Sequence, residues 1–273
     1  MRAALLQLCA SDDPAANLPQ TLGLLEEAVA GGAEFVATPE VTNIVSLSKA
    51  RQDAVLRTED ADETLAALRA AAACYGIWLL IGSLAVRGPQ RFANRSFLIG
   101  PDGGVRARYD KIHMFDVSID AAETYNESAR YAPGDRAVVA DTPLGVLGMM
   151  VCYDMRFPAL SSSLVAGGAT VLSYPSAFSP VSGAAHWHSL LRARAIENGA
   201  WVLAPAQTGT HTAAEGEARE TYGHSLVVDP WGQVVLDAGT GPGAYLFGLD
   251  PEAPAAARAR IPALANALPF TSP

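Results

Sequence analysis

Positive charge is scarce in this sequence. Its 19 Lys and Arg are outnumbered by 28 Asp and Glu, giving a formal net charge of −9. Nucleic acids and anionic lipid surfaces are held by clustered cations, so this balance argues against both as partners. Arg106, Arg108 and Lys111 alternate on a strand-like segment, and Arg192 and Arg194 lie on a helical one; both groups read as solvated faces. Cysteine is sparse as well. Cys9, Cys74 and Cys152 share no CxxC spacing and cannot all pair, which argues against a disulfide framework and against a zinc centre. Apolar runs stop well short of the roughly 20 residues that span a bilayer. Residues 1–9 read as a strand rather than a cleaved leader. These absences predict a cytoplasmic protein with no membrane partner.

What is present is ample core material, with 50% hydrophobic residues in a chain of 273. Helical periodicity runs over 15–30, 63–75, 157–166 and 185–198, and β-rich runs cover 35–37, 77–81, 95–99, 170–172, 201–203 and 225–228. Strands alternating with helices predict a layered α/β architecture. No low-complexity linker divides the chain, so a single domain over 1–273 is expected, with 251–273 as a C-terminal arm. The two halves echo each other. Segment 30–40 lines up with 166–176, each a Gly-Gly turn and a strand closed by Pro; 78–83 mirrors 201–206, and 96–105 mirrors 225–234. Three matches in one order predict two similar sheets related by an approximate two-fold, with helices outside: a four-layer α-β-β-α sandwich.

Four side chains stand where chemistry could be done. Cys152 ends an apolar, strand-like run and is followed by a charged turn, which is how a nucleophile is presented at an elbow. There the backbone N–H of Tyr153 could help hold an oxyanion. Glu40 follows Pro39 at a strand end, Lys111 follows the second hairpin, and Glu127 lies in a polar loop. Each has an ordinary reading too: a buried thiol packing as a small hydrophobe, or a solvated acid or lysine. Two of the five histidines, His186 and His188, diverge around a helix and make a poor metal clamp; His113 and His224 read as loop-holding residues.

The motifs Thr38-Pro39-Glu40, Asp110-Lys111-Ile112-His113-Met114-Phe115-Asp116 and Val151-Cys152-Tyr153-Asp154-Met155-Arg156-Phe157-Pro158 together resemble the nitrilase, or carbon–nitrogen hydrolase, superfamily. Tyr174-Pro175-Ser176-Ala177-Phe178 and Tyr222-Gly223-His224-Ser225 add to the likeness, which extends from Leu6 to about Asp250. The resemblance implies the α-β-β-α sandwich and assembly of a homodimer or higher homo-oligomer through the nucleophile-side helices. It also implies a Glu40, Lys111 and Cys152 triad assisted by Glu127, acting on a small-molecule amide with no metal and no cofactor. Tyr153, Arg156 and Ser176 become the candidate substrate-binding residues, although pairing with Asp154 is the simpler role for Arg156. The likeness is greatest to the branch holding deaminated glutathione amidase and omega-amidase, whose substrates carry a 2-oxo acid. A true nitrilase and a catalytically inactive interaction protein are the other readings; three intact triad positions speak against the inactive scaffold. His188 stands where relatives carry an acid.

Overall fold

The computed structural model describes residues 1–119, 124–214 and 216–271. Two six-stranded sheets form its centre. The first runs Arg2–Gln7, Phe35–Ala37, Trp78–Arg87, Phe92–Ile99 and Val105–Asp110, with Gly243–Gly248 outside Arg2–Gln7. The second runs Gly145–Met149, Val171–Ser173, Trp201–Ala204, Leu226–Val228 and Val234–Asp237, with Val138–Thr142 outside Gly145–Met149. In both, the leading three strands are parallel and the rest antiparallel. The two sheets therefore share one connectivity. The sequence matches fall on equivalent strands, 35–37 with 171–173 and 78–87 with 201–204.

Strand side chains point alternately to opposite faces, and the first sheet divides its apolar residues accordingly. Ala3, Leu5, Phe35, Ala37, Leu80 and Leu98 join the core shared with Leu147, Met149, Val171 and Leu203 of the second sheet. Ala4, Leu6, Val36, Leu79, Ile81 and Phe97 face the other way, onto Leu25 and Ala28 of helix Pro14–Ala30 and Leu65, Leu68 and Ala72 of helix Glu63–Tyr75. Helices Pro158–Ala166 and Pro180–Asn198 cover the second sheet with Leu164, Trp187, Leu191 and Ala195. The layers are helix, sheet, sheet, helix, as the internal repeat predicts.

Local chemistry sets the boundaries. Asp13 caps the helix at Pro14, while Asp62 caps Glu63–Tyr75 and Gly76 ends it at φ 64°. The helix read over 185–198 begins five residues earlier, at Pro180, because a proline in the first turn starts a helix whose small residues carry no apolar periodicity. The C-terminal arm is partly docked: helix Ala253–Arg260 places Arg258 on the carbonyls of Asn198 and Ala169. Among the described residues no helix is long and apolar enough to cross a membrane. Residues 272–273 of the arm lie outside the described residues.

Candidate active site

The parallel strands of both sheets release the chain at their carboxyl ends, where α/β sheets place ligand clefts. Glu40 follows strand Phe35–Ala37, Lys111 directly follows Val105–Asp110, and Cys152 comes just beyond Gly145–Met149, opening the 3₁₀ turn Cys152–Arg156. Glu127 opens a second short turn, Glu127–Ala129. Lys111 Nζ donates to Glu40 Oε1 at 2.9 Å and to Glu127 Oε2 at 2.8 Å, with Glu127 Oε1 at 3.1 Å. The Cys152 thiol stands beside Glu40, close enough to feel its charge, and the second carboxylate oxygen, Glu40 Oε2, accepts from the Ala177 N–H at 2.8 Å. Glu40, Lys111, Cys152 and Glu127 are thus brought into one cluster from four separate stretches of chain.

The backbone under this cluster is strained and tightly held. Cys152 has φ 49° and Val41, next to Glu40, has φ 46°. For a β-branched residue that is a true outlier, costing on the order of 1–3 kcal/mol, and such strain persists only where the surroundings impose it. They do so here. Val41 N–H donates to Ser83 Oγ at 2.8 Å, Gln207 Nε2 donates to the Glu40 carbonyl at 3.0 Å, and Cys152 N–H donates to the Pro175 carbonyl at 2.9 Å. Thr38 and Thr42 hydroxyls meet at 2.7 Å beneath the loop.

Burial governs the electrostatics. It would push the Glu40 carboxyl up, yet the Lys111 ammonium outweighs it and holds Glu40 below its ordinary 4.5. Burial works against the Lys111 charge, but the carboxylates of Glu127 and Glu40 carry Lys111 well above its ordinary 10.5. Burial first, and then the neighbouring Glu40 charge, push the Cys152 thiol up from 9.0. Both effects favour the thiol over the thiolate at Cys152.

Two residues outside the predicted set organise the cluster. Asn94, in strand Phe92–Ile99, donates from Nδ2 to Glu40 at 2.9 Å and to Glu127 at 3.2 Å. Its one available signal is an Asn inside a strand, where Asn is disfavoured. Asp154 is completely buried and accepts from Tyr109 Oη at 2.7 Å, His113 N–H at 3.0 Å, His113 Nδ1 at 2.7 Å and Val151 N–H at 2.9 Å. It ties the loop after Lys111 to the cysteine turn. The expected Arg156–Asp154 pair is absent because these four donors saturate the carboxylate. Arg156 instead lies over Phe178, 5.3 Å from the ring centre, and meets His186 Nδ1 at 3.3 Å. Ser176 is fully buried, with its hydroxyl donated to the Tyr174 carbonyl at 2.9 Å. Neither lines the cavity, whereas Tyr153 does. His188 and His224 hydrogen-bond to the two oxygens of Asp237 at 2.9 and 2.8 Å, an exposed clasp on the second sheet's side.

The cavity holds about 400 Å³, within the range of small-molecule sites. Cys152, Glu40, Lys111 and Glu127 line it, and its walls carry several buried polar atoms without a protein partner: Asn94 Oδ1, Ser179 Oγ, Ser182 Oγ, Arg130 Nε and Arg219 Nε. Buried polar groups are normally satisfied, so several exceptions among the residues lining one cavity suit a polar ligand there.

Comparison with known proteins agrees with this geometry. The carbon–nitrogen hydrolase family profile matches residues 2–251. A curated relative, deaminated glutathione amidase of Yersinia enterocolitica, is 42% identical over 243 residues, covering 85% of this chain and 80% of that protein. The crystal structure of the Caenorhabditis elegans NitFhit protein superposes with a TM-score of 0.88 at 35% identity; the match covers 97% of this chain and 64% of that one, so this chain spans just under two thirds of that longer protein. A mutant of the amidase from Nesterenkonia sp. AN1, showing the result of Michael addition of acrylamide at its active-site cysteine, matches with a TM-score of 0.79 at 28% identity, covering 96% of this chain and 98% of that one. With the matched profile, the shared fold and a cysteine at the seam of the two sheets, the chain belongs to the carbon–nitrogen hydrolase family.

Proposed function

We propose that the protein is a thiol amidase that hydrolyses the peptide-type amide of deaminated glutathione, releasing 2-oxoglutarate and Cys-Gly. One observation carries this reading: a single buried carboxylate, Glu40, is hydrogen-bonded to the Lys111 ammonium and shares one cavity wall with the Cys152 thiol, on which its charge acts. Cys152 Sγ attacks the amide carbon while its proton passes to Glu40, so the thiolate is generated only as the C–S bond forms. The carbonyl oxygen becomes an oxyanion held by Lys111 and by the N–H of Tyr153. Lys111 has three N–H donors, and one to each carboxylate leaves the third for that oxygen. Such a donor is worth roughly 3–4 kcal/mol in the transition state. The C–N bond then breaks, and Glu40 returns its proton to the leaving nitrogen. Water, deprotonated by Glu40, attacks the thioester carbon; the C–S bond breaks and the sulfur recovers the proton from Glu40. Glu127 holds Lys111 in place throughout.

The substrate assignment draws on the name carried by the curated relatives and on the polar cavity. Treating residues 1–273 as one domain rests on the apolar core shared by the two sheets. We also place the protein in the cytoplasm as a homo-oligomer. Three unpaired cysteines suit a reducing compartment, and Val181 and Ile196 of the cysteine-side helix Pro180–Asn198 are more than half exposed, an apolar surface suited to a second copy. The deciding measurement is kcat/KM for deaminated glutathione against 2-oxoglutaramate, with Cys152→Ala as the control. Preference for deaminated glutathione, abolished in Cys152→Ala, is expected. Preference for the shorter amide would make the protein an omega-amidase instead, and unchanged turnover by Cys152→Ala would remove the nucleophile from the scheme.

A further inference from the structure

The cavity wall beyond Ala177 is unaccounted for by bond-making and bond-breaking. Ala177 stands between two charges. Its N–H donates to Glu40 Oε2 at 2.8 Å, and its carbonyl accepts from Arg219 Nη2 at 2.6 Å. Among the described residues no carboxylate pairs with Arg219; its guanidinium lies over the Tyr125 ring at 5.5 Å and its Nε is buried without a partner. Ser179 caps helix Pro180–Asn198 by position yet makes no side-chain capping bond. Its hydroxyl, 2% exposed as a residue, and that of Ser182 in the same first turn, 8% exposed, are both buried, unpartnered and on the cavity wall. The helix amino terminus adds its own partial positive charge.

Resting on the deaminated glutathione reading, we infer that Arg219, Ser179 and Ser182 form the subsite that binds the 2-oxo acid carboxylate on the acyl side of the substrate. A carboxylate accepts from N–H and O–H donors alone, and the cavity lining here supplies a guanidinium and two serine hydroxyls with no other partner. The acyl side follows from the two-step chemistry. The acyl group stays on Cys152 while the leaving amine departs and water enters, so it belongs at the closed end of the cavity. Ser179 and Ser182 are among the buried residues of the lining. The other cations are less available: Lys49 is exposed, and Arg130 is committed to Asp53 at 2.6 Å. Arg219 thereby serves as a specificity-determining residue, selecting amides whose acyl chain ends in an anion.

The test compares wild type, Arg219→Gln and the Ser179→Ala/Ser182→Ala double variant on deaminated glutathione and on butanoyl-Cys-Gly, which keeps the dipeptide but lacks the acyl-side carboxylate. The ratio of kcat/KM values for the two substrates should collapse at least about tenfold in Arg219→Gln and several-fold in the serine double variant, mainly through KM. Equal losses on both substrates, or an unchanged ratio, would overturn the subsite. If Arg219→Gln fails to fold by circular dichroism, the serine variant decides. Failure of the functional reading itself is separate, appearing as no turnover of deaminated glutathione by wild type. Calorimetry on Cys152→Ala then decides: Arg219→Gln should weaken binding of 2-oxoglutarate and spare that of Cys-Gly, and the reverse pattern, or no effect on either, would sink the proposal.

Discussion

In the proposed mechanism Glu40 accepts a thiol proton only while it is ionised, and the position of its titration sets where the site would work. Lys111 keeps it below 4.5, and Cys152 holds its proton to above 9.0. A thiolate–cation pair would lose activity as its thiol titrates on the acid side; this arrangement has no such group between those limits. The expected kcat/KM profile is flat from about pH 5 to about pH 9, measured on S-methyl deaminated glutathione so that the substrate thiol does not titrate. A limb near pH 7 that disappears on mutating Cys152 or Glu40 would contradict it. Asp154 matters through the donors it gathers. Asp154→Asn replaces one accepting oxygen by an NH₂ facing donors, so two buried partners are left unmatched. A loss of about 2–4 kcal/mol in urea unfolding is expected, with kcat reduced because the cysteine turn and the loop after Lys111 come apart.

The strands matter at this site for what they let approach. Gly82, inside Trp78–Arg87, lies where a Cβ would meet the Thr38 carbonyl oxygen at 2.0 Å, the Pro39 carbonyl oxygen at 2.6 Å and Pro175 Cβ at 2.5 Å. Those atoms, two of them backbone carbonyl oxygens, come from the two Pro-closed strand ends that carry Glu40 and Ala177, one in each half of the repeat. None can move without moving the acid. Gly82→Ala should cost about 1–3 kcal/mol of stability and lower kcat disproportionately. Gly23→Ala is the matched control: its Cβ meets nothing within 4 Å on helix Pro14–Ala30, so stability should rise slightly or stay level and activity should be kept. Equal effects of the two substitutions on thermal unfolding would show that the close approach at Gly82 is unimportant.

Across the whole molecule, the buried charges fasten the seam between the sheets. Lys111 is 2% exposed and stands between two carboxylates, with Glu40 reaching across to the Ala177 N–H of the other half. Glu40, lowered when folded, contributes stability that is complete above 4.5 and lost as pH falls through its depressed value; Lys111, raised when folded, contributes stability complete below 10.5 and lost only as pH climbs through its elevated one. Lys111→Met removes the compensation and leaves two acids buried together. It should destabilise the fold by about 3–5 kcal/mol at pH 7, and the deficit should shrink toward pH 5 as a carboxylate takes up a proton. Chemical denaturation at the two pH values reads this directly, and a pH-independent deficit would mean that the charges are not coupled.

The sequence alone determined the architecture, because it is written in local terms. Apolar alternation, capping residues such as Asp62 and the repeated Gly-Gly turns require no distant partner to be recognised, and the order of the repeats dictated two sheets of one connectivity. It also exposed Glu40, Lys111 and Cys152, since each stands in a distinctive local motif. Only the tertiary structure decided the rest. Asn94 and Asp154 take their contacts from what packing places opposite them, as do Arg219, Ser179 and Ser182 in the proposed subsite, and the same packing gives Arg156 to Phe178 and His186 rather than to Asp154. A side chain's partners, burial and charge environment are properties of the folded whole, set by chain segments far apart in sequence, and no local pattern encodes them.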